Sequence, residues 1–574
     1  MIKRKSSPAR ARQRGAASTL AAIWIVVAVA ALGAIDVGNY FFARRSLQSV
    51  VDLAASAGPQ VADAACTRAT SAASGSASLN NFSASAQGNS MTVSCGRWDP
   101  TMYAAPDYYG MNGAPVNAVK VVATRTVQPF FIGPTQTVSA TAVARATNIG
   151  AFTIGTTLAT IGPGPINGLL NALLGTNLNL SLVGYQGLAN TRVKIGDLVT
   201  AAGVGTVDQL LATQLTAAQI AKLMLTALQT TTVANAQLST AIGAMQTIVN
   251  ANIPGNQSIA LGKTASSPGL LQVALANTQS ALDATISPLD ALFVTAEIAQ
   301  AGKAAVNVAG GLNLLGISAA LQVQVIQPPV LAVGEAGKDA SGNWRTMAST
   351  AQVRAYLNVS VATIPLGAIL GGSNSALLNL PLYVDVGAGQ AWLTSTSCQG
   401  APAARTSTIG VISGLANVCV GNLPTNTLAP YSCSSPATLL NAGVLTVTMA
   451  ANVSASVPKS AAASLTFNGV VGDSDDYQST SVTPGATLAN GLQTLSSSLS
   501  QQGGLVITSS IGLLQPVLNL VSPLVLNALL PVLSTILAGL DQVLVPVLQL
   551  LGAQVGVSTI HDLSLTCGQS QLAY

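Results

Sequence analysis

Residues 16–35 read AASTLAAIWIVVAVAALGAI, and this stretch sets the arrangement of the whole chain. It carries no charge, and as an α-helix rising about 1.5 Å per residue it would be about 30 Å long. A bilayer's hydrocarbon core has the same thickness. The residues before it include six basic and no acidic side chains, namely Lys3, Arg4, Lys5, Arg10, Arg12 and Arg14. The positive-inside rule therefore predicts a cytoplasmic tail, one membrane anchor, and export of everything after Asp36.

A cleaved signal peptide is the other interpretation of this stretch. The apolar run is longer than the usual signal core of about 7–15 residues. An A-x-A-like pattern exists at Ala28-Val29-Ala30, but it lies inside the apolar run and not after it. We therefore expect an uncleaved anchor, which a mature N-terminus beyond Ala30 would contradict.

Composition limits the functions open to the rest of the chain. Its 574 residues are enough for several domains, and Gly, Ala, Ser, Thr, Asn and Leu dominate them. Only 7% of the residues are charged, against about 25% in an ordinary soluble domain. Without the six basic residues of the tail, 17 of the 23 Lys and Arg remain against 18 Asp and Glu. The exported part is therefore about neutral, which argues against a nucleic-acid partner.

All six cysteines follow the anchor, at Cys66, Cys95, Cys398, Cys419, Cys433 and Cys567. An even number on the exported side predicts disulfides in an oxidising compartment. We expect Cys66 to pair with Cys95, while the order of pairing among the other four stays open. The sequence has no CxxC or Cys/His spacing of the kind that binds zinc.

The anchor helix is predicted to continue beyond the membrane as an amphipathic stalk. Its apolar residues there follow helical spacing, at Leu47, Val50, Val51 and Ala54. No proline interrupts it before Pro59. Arg44 and Arg45 would lie near the outer headgroups, where their long stems can snorkel. Asp36 is interpreted as a simple membrane-exit residue.

Four features follow one another along this N-terminal region. They are a basic tail ending in Arg14-Gly15, the alanine-rich span, Asp36-Val37-Gly38, and Ala43-Arg44-Arg45-x-Leu47-Gln48 opening an alanine-rich helix to Ala57. Together they resemble TadG-like Flp/Tad pilus-assembly proteins. Asn39 stands where that family more often has Arg, and Val50-Val51 replaces a more usual Ala-Ala.

The next block also resembles the exported domain of that family. It comprises Gly96-Arg97-Trp98-Asp99, Asn117 to Arg125, Pro129-Phe130-Phe131 and Val138 to Ala146. The β-rich run Val119–Val127, the breaker Ile132-Gly133-Pro134 and the apolar–hydroxyl alternation of Val138–Ala142 predict a hairpin with one buried face. The resemblance covers about residues 12–147, roughly a quarter of the chain. It implies a structural role in pilus assembly or in the attached secretion apparatus.

Residues 148–310 change to helical spacing. Thr206 and Thr216 each begin a capping-box pattern, with Gln209 and Gln219 three positions later. The apolar residues around them recur at helical intervals, at Leu210, Leu211, Ile220, Leu223, Leu225 and Leu228. Ala234 to Asn250 and Leu270 to Ala301 continue the pattern. A mostly helical region with a helix–helix core is therefore predicted.

From about residue 311 to residue 480 apolar residues alternate with polar ones. This period of two predicts an antiparallel β region carrying Cys398, Cys419 and Cys433. The candidate strands are Leu321–Val325, Leu357–Val361, Leu382–Val386, Val444–Val447 and Val453–Val457.

Leu505 to Val557 is an apolar stretch with one charge, Asp541, and much of its polarity falls on one helical stripe. Four prolines predict that a single long helix would be broken or kinked, at Pro516, Pro523, Pro531 and Pro546. The uncharged run Leu524–Leu540 is long enough for a second membrane span. Asn527 and the prolines favour instead helices packed on the protein, on a partner or on the membrane surface.

Few residues suggest chemistry. His561 is the one histidine, and because the adjacent Asp562 side chain diverges from it, we expect a satisfied or exposed histidine. The cluster Gly472–Asp476 has oxygen ligands of the kind calcium prefers, but a solvated turn is the favoured interpretation. It also lacks the Asp-x-Ser-x-Ser motif of the adhesion domain that some TadG-like proteins carry. Pilin-type cleavage after Gly15 is not expected, because Leu20 stands where pilins have glutamate.

We therefore predict an α+β fold with a single N-terminal transmembrane helix, a β-containing module, a helical region, a β-rich region and a hydrophobic helical C-terminus. The predicted boundaries are 1–15 for the basic tail, 16–35 for the anchor, 36–147 for the TadG-like stalk and exported domain, 148–310 for the helical region, 311–480 for the β-rich region and 481–574 for the apolar helical C-terminal region.

The predicted function is that of a membrane-anchored exported structural or accessory protein of Flp/Tad-type pilus assembly or secretion. The chain would cross the bacterial inner membrane once, with most of it in the periplasm. The expected partners are the inner membrane, pilus-assembly or envelope proteins and further copies of the chain, with no nucleic acid. We expect no enzyme activity, no catalytic, cofactor-binding or metal site and no cofactor. An envelope-anchored adhesin is the alternative, and an exported hydrolase would lack a recognisable catalytic constellation.

Overall fold

The computed structural model of the chain describes residues 14–62, 65–155, 163–255, 257–264, 267–308, 313–314, 317–364, 376–422, 433, 435–441, 445–481, 487–501, 503–509 and 515–573. Lys3 to Arg12 of the predicted tail and Val444 of one predicted strand lie outside these residues. Within them the chain has the predicted α+β composition. It divides into two compact units, unit 1 with residues 1–146 and 569–574, and unit 2 with residues 147–568.

The helices of the described residues are α1 (Arg14–Ala57), α2 (Thr67–Leu79), α3 (Pro163–Leu174), α4 (Leu182–Asn190), α5 (Ile195–Ala201), α6 (Val207–Ala212), α7 (Ala217–Thr230), α8 (Leu238–Asn250), α9 (Pro288–Gln300), α10 (Leu488–Ser500) and α11 (Gln515–Leu550).

The strands are β1 (Asn89–Trp98), β2 (Tyr109–Met111), β3 (Ala118–Val127), β4 (Gln136–Arg145), β5 (Ile149–Ile154), β6 (Val193–Lys194), β7 (Gln214–Leu215), β8 (Ile259–Gly262), β9 (Gly269–Ala274), β10 (Thr285–Ile286), β11 (Val306–Val308), β12 (Asn313–Leu314), β13 (Ile317–Gln327), β14 (Leu331–Gly334), β15 (Met347–Ser349), β16 (Gln352–Ile364), β17 (Ala376–Val386), β18 (Gln390–Ser397), β19 (Thr406–Ile412), β20 (Ala416–Val420), β21 (Thr438–Asn441), β22 (Leu445–Met449), β23 (Val453–Val457), β24 (Ala463–Asn468), β25 (Tyr477–Ser479), β26 (Leu505–Ser509), β27 (Thr559–Thr566) and β28 (Gln571–Ala573).

Unit 1 is built on α1, a 44-residue helix that runs without a break from the apolar stretch into the folded unit. Its first half leaves Trp24 and Ile25 exposed over more than 60% of their surface. Its second half is amphipathic and buries one stripe against the sheet and α2, at Leu47, Val50, Val51 and Ala54. The predicted continuation of the apolar helix into an amphipathic stalk is therefore confirmed.

The sheet of unit 1 has the strand order β2-β1-β3-β4-β28 and is antiparallel throughout. β3 and β4 form the predicted hairpin, and Val119, Val121 and Ala123 of its inner face lie in one core with α1. The expected Cys66–Cys95 disulfide joins the start of α2 to β1. The last strand, β28, pairs with β4, and no local pattern predicts this pairing.

The helices of unit 2 carry the predicted caps with one difference. Thr216 and Gln219 form a reciprocal capping box at the start of α7. Thr206 caps α6 by accepting from the Gln209 N–H, but the Gln209 side chain accepts from the Gly205 N–H instead of completing the box. The prediction of helix from Leu270 to Ala301 is wrong at its start, where residues 269–274 form β9 between β8 and β14.

Unit 2 arranges its strands in a ten-stranded, a seven-stranded, a four-stranded and a two-stranded sheet. The largest contains the predicted strands as parts of β13, β16, β17, β22 and β23. The other four cysteines form the pairs Cys398–Cys567 and Cys419–Cys433. β27 returns from the C-terminal region to lie between β25 and β5 in the seven-stranded sheet.

The C-terminal apolar stretch is not broken at its internal prolines, because α11 continues through Pro523, Pro531 and Pro546. The Ser534 and Thr535 hydroxyls both donate to the Pro531 carbonyl oxygen, and burial of an apolar face stabilises the helix. That face includes Leu529, Leu533, Leu537, Leu540 and Leu544. The start of the stretch differs too, because residues 505–509 form β26. In the described chain, α1 and α11 are both long and apolar enough to cross a membrane, but α11 is flanked by β26 and β27 and packs inside unit 2.

Candidate functional site

The most distinctive polar site of unit 1 lies where α1 meets the turn of the β3–β4 hairpin. The Asp36 carboxylate accepts hydrogen bonds from three successive backbone N–H groups, at 2.6 Å from Phe130, 3.2 Å from Phe131 and 2.6 Å from Ile132. Asp36 itself is only 2% exposed. We call this arrangement of one carboxylate and three amides the helix–hairpin joint.

The geometry of the joint follows from the turn that joins β3 to β4. Residues 128–135 cannot continue either strand, because Gly133 has a left-handed φ of +126° and Pro134 has no N–H to donate. The N–H groups of Phe130, Phe131 and Ile132 instead converge on one point. Successive amides arranged in this way form an anion-binding concavity, and here a side chain of α1 supplies the anion.

The electrostatics of the joint favour an ionised carboxylate. Desolvation on burial tends to raise the pKa of Asp36, but the three backbone donors outweigh it and hold that pKa below its ordinary value. At neutral pH the hydrogen bonds of the joint are therefore charge-assisted, and such bonds are stronger than those between neutral groups.

Contacts made by residues that follow Asp36 along α1 strengthen the joint. The Asn39 side-chain amide donates to the Gln128 carbonyl oxygen at 3.3 Å, and the Tyr40 hydroxyl donates to the Pro134 carbonyl oxygen at 2.9 Å. Further along α1, Gln48 donates to the Thr141 carbonyl oxygen at 3.0 Å. Both flanks of the hairpin turn are thus bound to the helix, which fixes its direction relative to the sheet of unit 1.

Sequence reasoning quoted Asp36 but treated it as a membrane-exit residue, and so missed the joint. Its partners are backbone N–H groups, which leave no trace in the sequence. The one available signal is an acidic residue at the end of a long apolar run, with no basic residue between Gly15 and Arg44 to pair with it.

A buried ion pair of unit 1 lies in the quoted Gly96 to Asp99 block. Arg97 is completely buried and its Nε donates to Asp99 Oδ2 at 3.0 Å. Burial tends to raise the pKa of Asp99, but donors from Thr101 and the charge of Arg97 lower it overall. Arg145 lies over the Trp98 ring at 3.8 Å from its centroid. These contacts close the end of β1 away from the hairpin turn.

Unit 2 buries a charged cluster of four side chains that lie far apart in sequence. Arg192 Nη2 lies 3.0 Å from Asp476 Oδ2 and 2.7 Å from His561 Nε2, and His561 Nδ1 lies 2.6 Å from Asp290 Oδ2. Because the Arg192 guanidinium can only donate, Nε2 must accept, so His561 carries its proton on Nδ1 and donates it to Asp290. The four residues are each 4% exposed or less. His561 is therefore buried and satisfied, and this enclosed cluster has the character of a structural network.

Burial governs the protonation of this cluster and its neighbour Asp562. It lowers the pKa of His561, against the opposing charge of Asp290, and keeps the ring neutral. It raises the pKa of Asp476 to about 6, against the opposing charge of Arg192. Burial also raises the pKa of Asp562 to about 8, helped by the charge of Asp476. The Asp562 side chain points to Ser407, away from the histidine, as the adjacent positions predict.

The acidic cluster considered for calcium forms a hydrogen-bonded turn. Carboxylate oxygens of Asp473, Asp475 and Asp476 lie within 4.8 Å of one another. Asp473 accepts from the Asp475 N–H and the Asn468 side chain, and Asp475 accepts from the Asn468 N–H. Asp476 forms the ion pair with Arg192. The three carboxylates are thus held by the chain's own donors.

Comparison with known protein families agrees with the division of the chain. A family model described as Flp pilus-assembly TadE/G-like matches residues 15–73, and one described as Tad-like Flp pilus-assembly matches residues 54–144. A domain of unknown function, DUF8293, matches residues 163–297 in unit 2. No curated protein and no solved structure matches the chain. The resemblance read from the sequence is thus confirmed: residues 15–144, which include most of α1 and the helix–hairpin joint, are similar to TadG-like Flp/Tad pilus-assembly proteins.

Proposed function

We propose that this chain is a single-pass protein of the bacterial inner membrane that serves Flp/Tad pilus assembly as a structural or accessory component. Its N-terminus would lie in the cytoplasm, and the residues after Asp36 in the periplasm. In this proposal the chain acts by binding and positioning other envelope proteins, and it is not an enzyme.

One observation carries the proposal, namely that α1 changes character at Asp36. Before that residue its large apolar side chains are exposed, for example Ile23 at 58% and Val26 at 67%. After it, one helix face is buried in unit 1, from Ala43 onward. A helix with a bare apolar half and a packed half fits a membrane anchor that continues into a folded domain.

The joint gives this anchor a mechanical role. A flexible linker would let unit 1 rotate freely about the membrane helix, whereas Asp36, Asn39 and Tyr40 bind the helix to the hairpin turn. Unit 1 would then present its surface to partners at a fixed angle to the membrane helix. Fixing a binding surface in advance reduces the entropy lost on association.

Lateral contacts in the membrane would come from the anchor itself. The alanine-rich span leaves open space around Gly33, where an added Cβ would meet no atom within 4 Å. Small residues of this kind permit close approach of a second membrane helix. We propose that a pilus-assembly membrane protein or a second copy of the chain packs there.

Deletion of the gene tests the role in assembly. We expect fewer surface pili by electron microscopy, with recovery on expression of the full chain, and alkaline extraction should leave the protein in the membrane fraction. Unaltered piliation would contradict the assembly role, and release by alkali would contradict the anchor.

Antibody labelling separates the proposal from an adhesin. A periplasmic accessory protein becomes accessible only after the outer membrane is permeabilised. Labelling of intact cells would favour the adhesin instead.

A further inference from the structure

Three large apolar side chains stand side by side at the turn between β3 and β4. Phe130 is 68% exposed, Phe131 58% and Ile132 42%. Single exposed apolar residues are ordinary, but three in succession at the tip of a hairpin form a contiguous patch that normally marks a contact surface. We call residues 130–132 the apolar tip.

The joint fixes the level of the apolar tip along α1. The three residues that expose their side chains are those whose N–H groups bind Asp36. Asp36 is the first charged residue after the apolar run 16–35, so in the proposed anchor it marks the depth at which α1 leaves the hydrocarbon. The tip therefore lies at the membrane surface, beside the helix.

The neighbouring part of α1 has the composition of a membrane interface. Phe41 and Phe42 are 68% and 73% exposed, and they follow Asp36 by about 8–9 Å of helix. Arg44 and Arg45 are exposed just beyond them. Aromatic rings followed by basic residues are the side chains enriched at the headgroup level of bilayers.

The backbone of the tip is suited to a medium poor in water. An unpaired N–H group in a lipid environment is strongly unfavourable. In the tip, the three N–H groups that would otherwise need water are bound by one carboxylate. Apolar side chains outward and satisfied amides inward are what insertion into the headgroup region requires.

We infer that the apolar tip, Phe130 to Ile132, inserts into the headgroup–acyl boundary of the periplasmic leaflet as a second membrane contact. The inference rests on the proposed anchoring by α1. With the helix as one contact and the tip as another, the sheet of unit 1 would be held at a defined tilt to the bilayer, where a single helix would leave it free to turn.

The test uses the full chain in nanodiscs of phosphatidylethanolamine and phosphatidylglycerol, with an environment-sensitive NBD fluorophore on one added cysteine. The six native cysteines are paired in disulfides and do not compete for the label. Phe131→Cys reports on the tip and Val26→Cys on the anchor. Met102→Cys is the water-exposed control, because Met102 is 49% exposed and follows the opposite end of β1, about 30 Å from the turn.

We expect the label at 131 to emit at a shorter wavelength than the label at 102. It should be quenched by lipid that carries a nitroxide near the headgroup. Iodide should quench it several-fold less than it quenches the label at 102. The label at 26 should be the best shielded from iodide. Ile132→Cys repeats the measurement if a label at 131 disturbs the turn.

Two outcomes would overturn the inference while leaving the anchor in place. In one, the label at 26 lies in lipid and the label at 131 is as accessible to iodide as that at 102. In the other, the label at 131 is shielded from iodide but not quenched by the lipid nitroxide, which would assign the tip to a protein contact. Exposure of the label at 26 to water would reject the proposed anchoring and the inference together.

Discussion

Units 1 and 2 each bury an aspartate, with opposite electrostatic results. In unit 1, three backbone N–H groups face Asp36 and hold its pKa below the ordinary value despite desolvation. In unit 2, Asp562 faces one hydroxyl, that of Ser407 at 3.4 Å, and burial raises its pKa to about 8. One carboxyl is charged at neutral pH and the other largely protonated.

The difference follows from the surroundings of each carboxyl: three backbone N–H groups favour the charged form of Asp36, whereas deep burial and the charge of Asp476 favour the neutral form of Asp562. Asp36 serves as an anion that ties two elements together, whereas Asp562 serves as a neutral side chain in a β-strand. Unit 2 also holds a charged cluster, around Arg192, and there the partner is a side chain from far along the sequence. The following substitutions test these distinctions.

The largest expected effect is loss of the cation in the unit 2 cluster. Arg192→Met leaves Asp476 buried without its ion-pair partner and removes the donor to His561. We expect the free energy of unfolding of unit 2 to fall by about 3–5 kcal/mol. A urea titration followed by hydrogen exchange of unit 2 peptides measures it.

Lys194→Met is the matched control, two residues away. The ion pair of Lys194 with Asp283 measures 2.9 Å, close to the 3.0 Å between Arg192 and Asp476, but the Asp283 side chain is 70% exposed. Its loss should change stability by less than about 1 kcal/mol. Equal effects of the two substitutions would refute the importance of burial.

The protonation of Asp562 should appear as a pH dependence. The folded state keeps the proton up to about pH 8, while the unfolded chain releases it near its ordinary value, about 4. Folded protein thus binds more protons between these limits, and this group's contribution makes stability fall as the pH rises. Asp562→Asn removes the titration, so its stability relative to the natural chain should rise by at most about 3 kcal/mol between about pH 6 and about pH 8.

Exposed Asp208→Asn serves as the control for that comparison. A constant stability difference between Asp562→Asn and the natural chain across this pH range would show that Asp562 is ionised in the folded state.

Loss of the charge at Asp36 should weaken the helix–hairpin joint, whereas loss of the titrating group at Asp562 should stabilise unit 2 at higher pH. Asp36→Ala leaves the N–H groups of Phe130, Phe131 and Ile132 without their acceptor, and we expect their hydrogen exchange to quicken by about tenfold or more. Asp36→Asn keeps one acceptor oxygen and should fall between the two. Asp52→Asn, on the same helix and bonded to Gln48, is the control. Unchanged exchange at the turn in Asp36→Ala would mean that the joint does not hold the hairpin.

The sequence predicted those features whose signal is local. Alternation along Leu357–Val361 and Leu382–Val386 predicted strands because each residue's face is set by its neighbours two positions away. The spacing of Leu47, Val50, Val51 and Ala54 predicted the buried stripe of α1 for the same reason.

Features that depend on contacts between distant segments could not be predicted from the sequence. The Arg192–His561 contact joins residues 369 positions apart, and β28 pairs with β4, which lies near the other end of the chain. The helix α11 is not broken at Pro531, because burial of one apolar face outweighs the local loss of a hydrogen bond. The role of Asp36 in the joint was not predicted, because its partners are backbone N–H groups, which every turn possesses.

The most direct test of the account is site-specific photo-crosslinking in membranes of piliated cells. A crosslinker replaces Leu79 or Met111 in unit 1, exposed at 87% and 67%, and Val183 or Val471 in unit 2, exposed at 62% and 40%. If the TadG-like region is the functional contact, the unit 1 positions should capture pilus-assembly proteins above the yield of the unit 2 positions. Capture from unit 2 alone, or from none of the four positions, would contradict the account and leave residues 15–144 as a module for anchoring only.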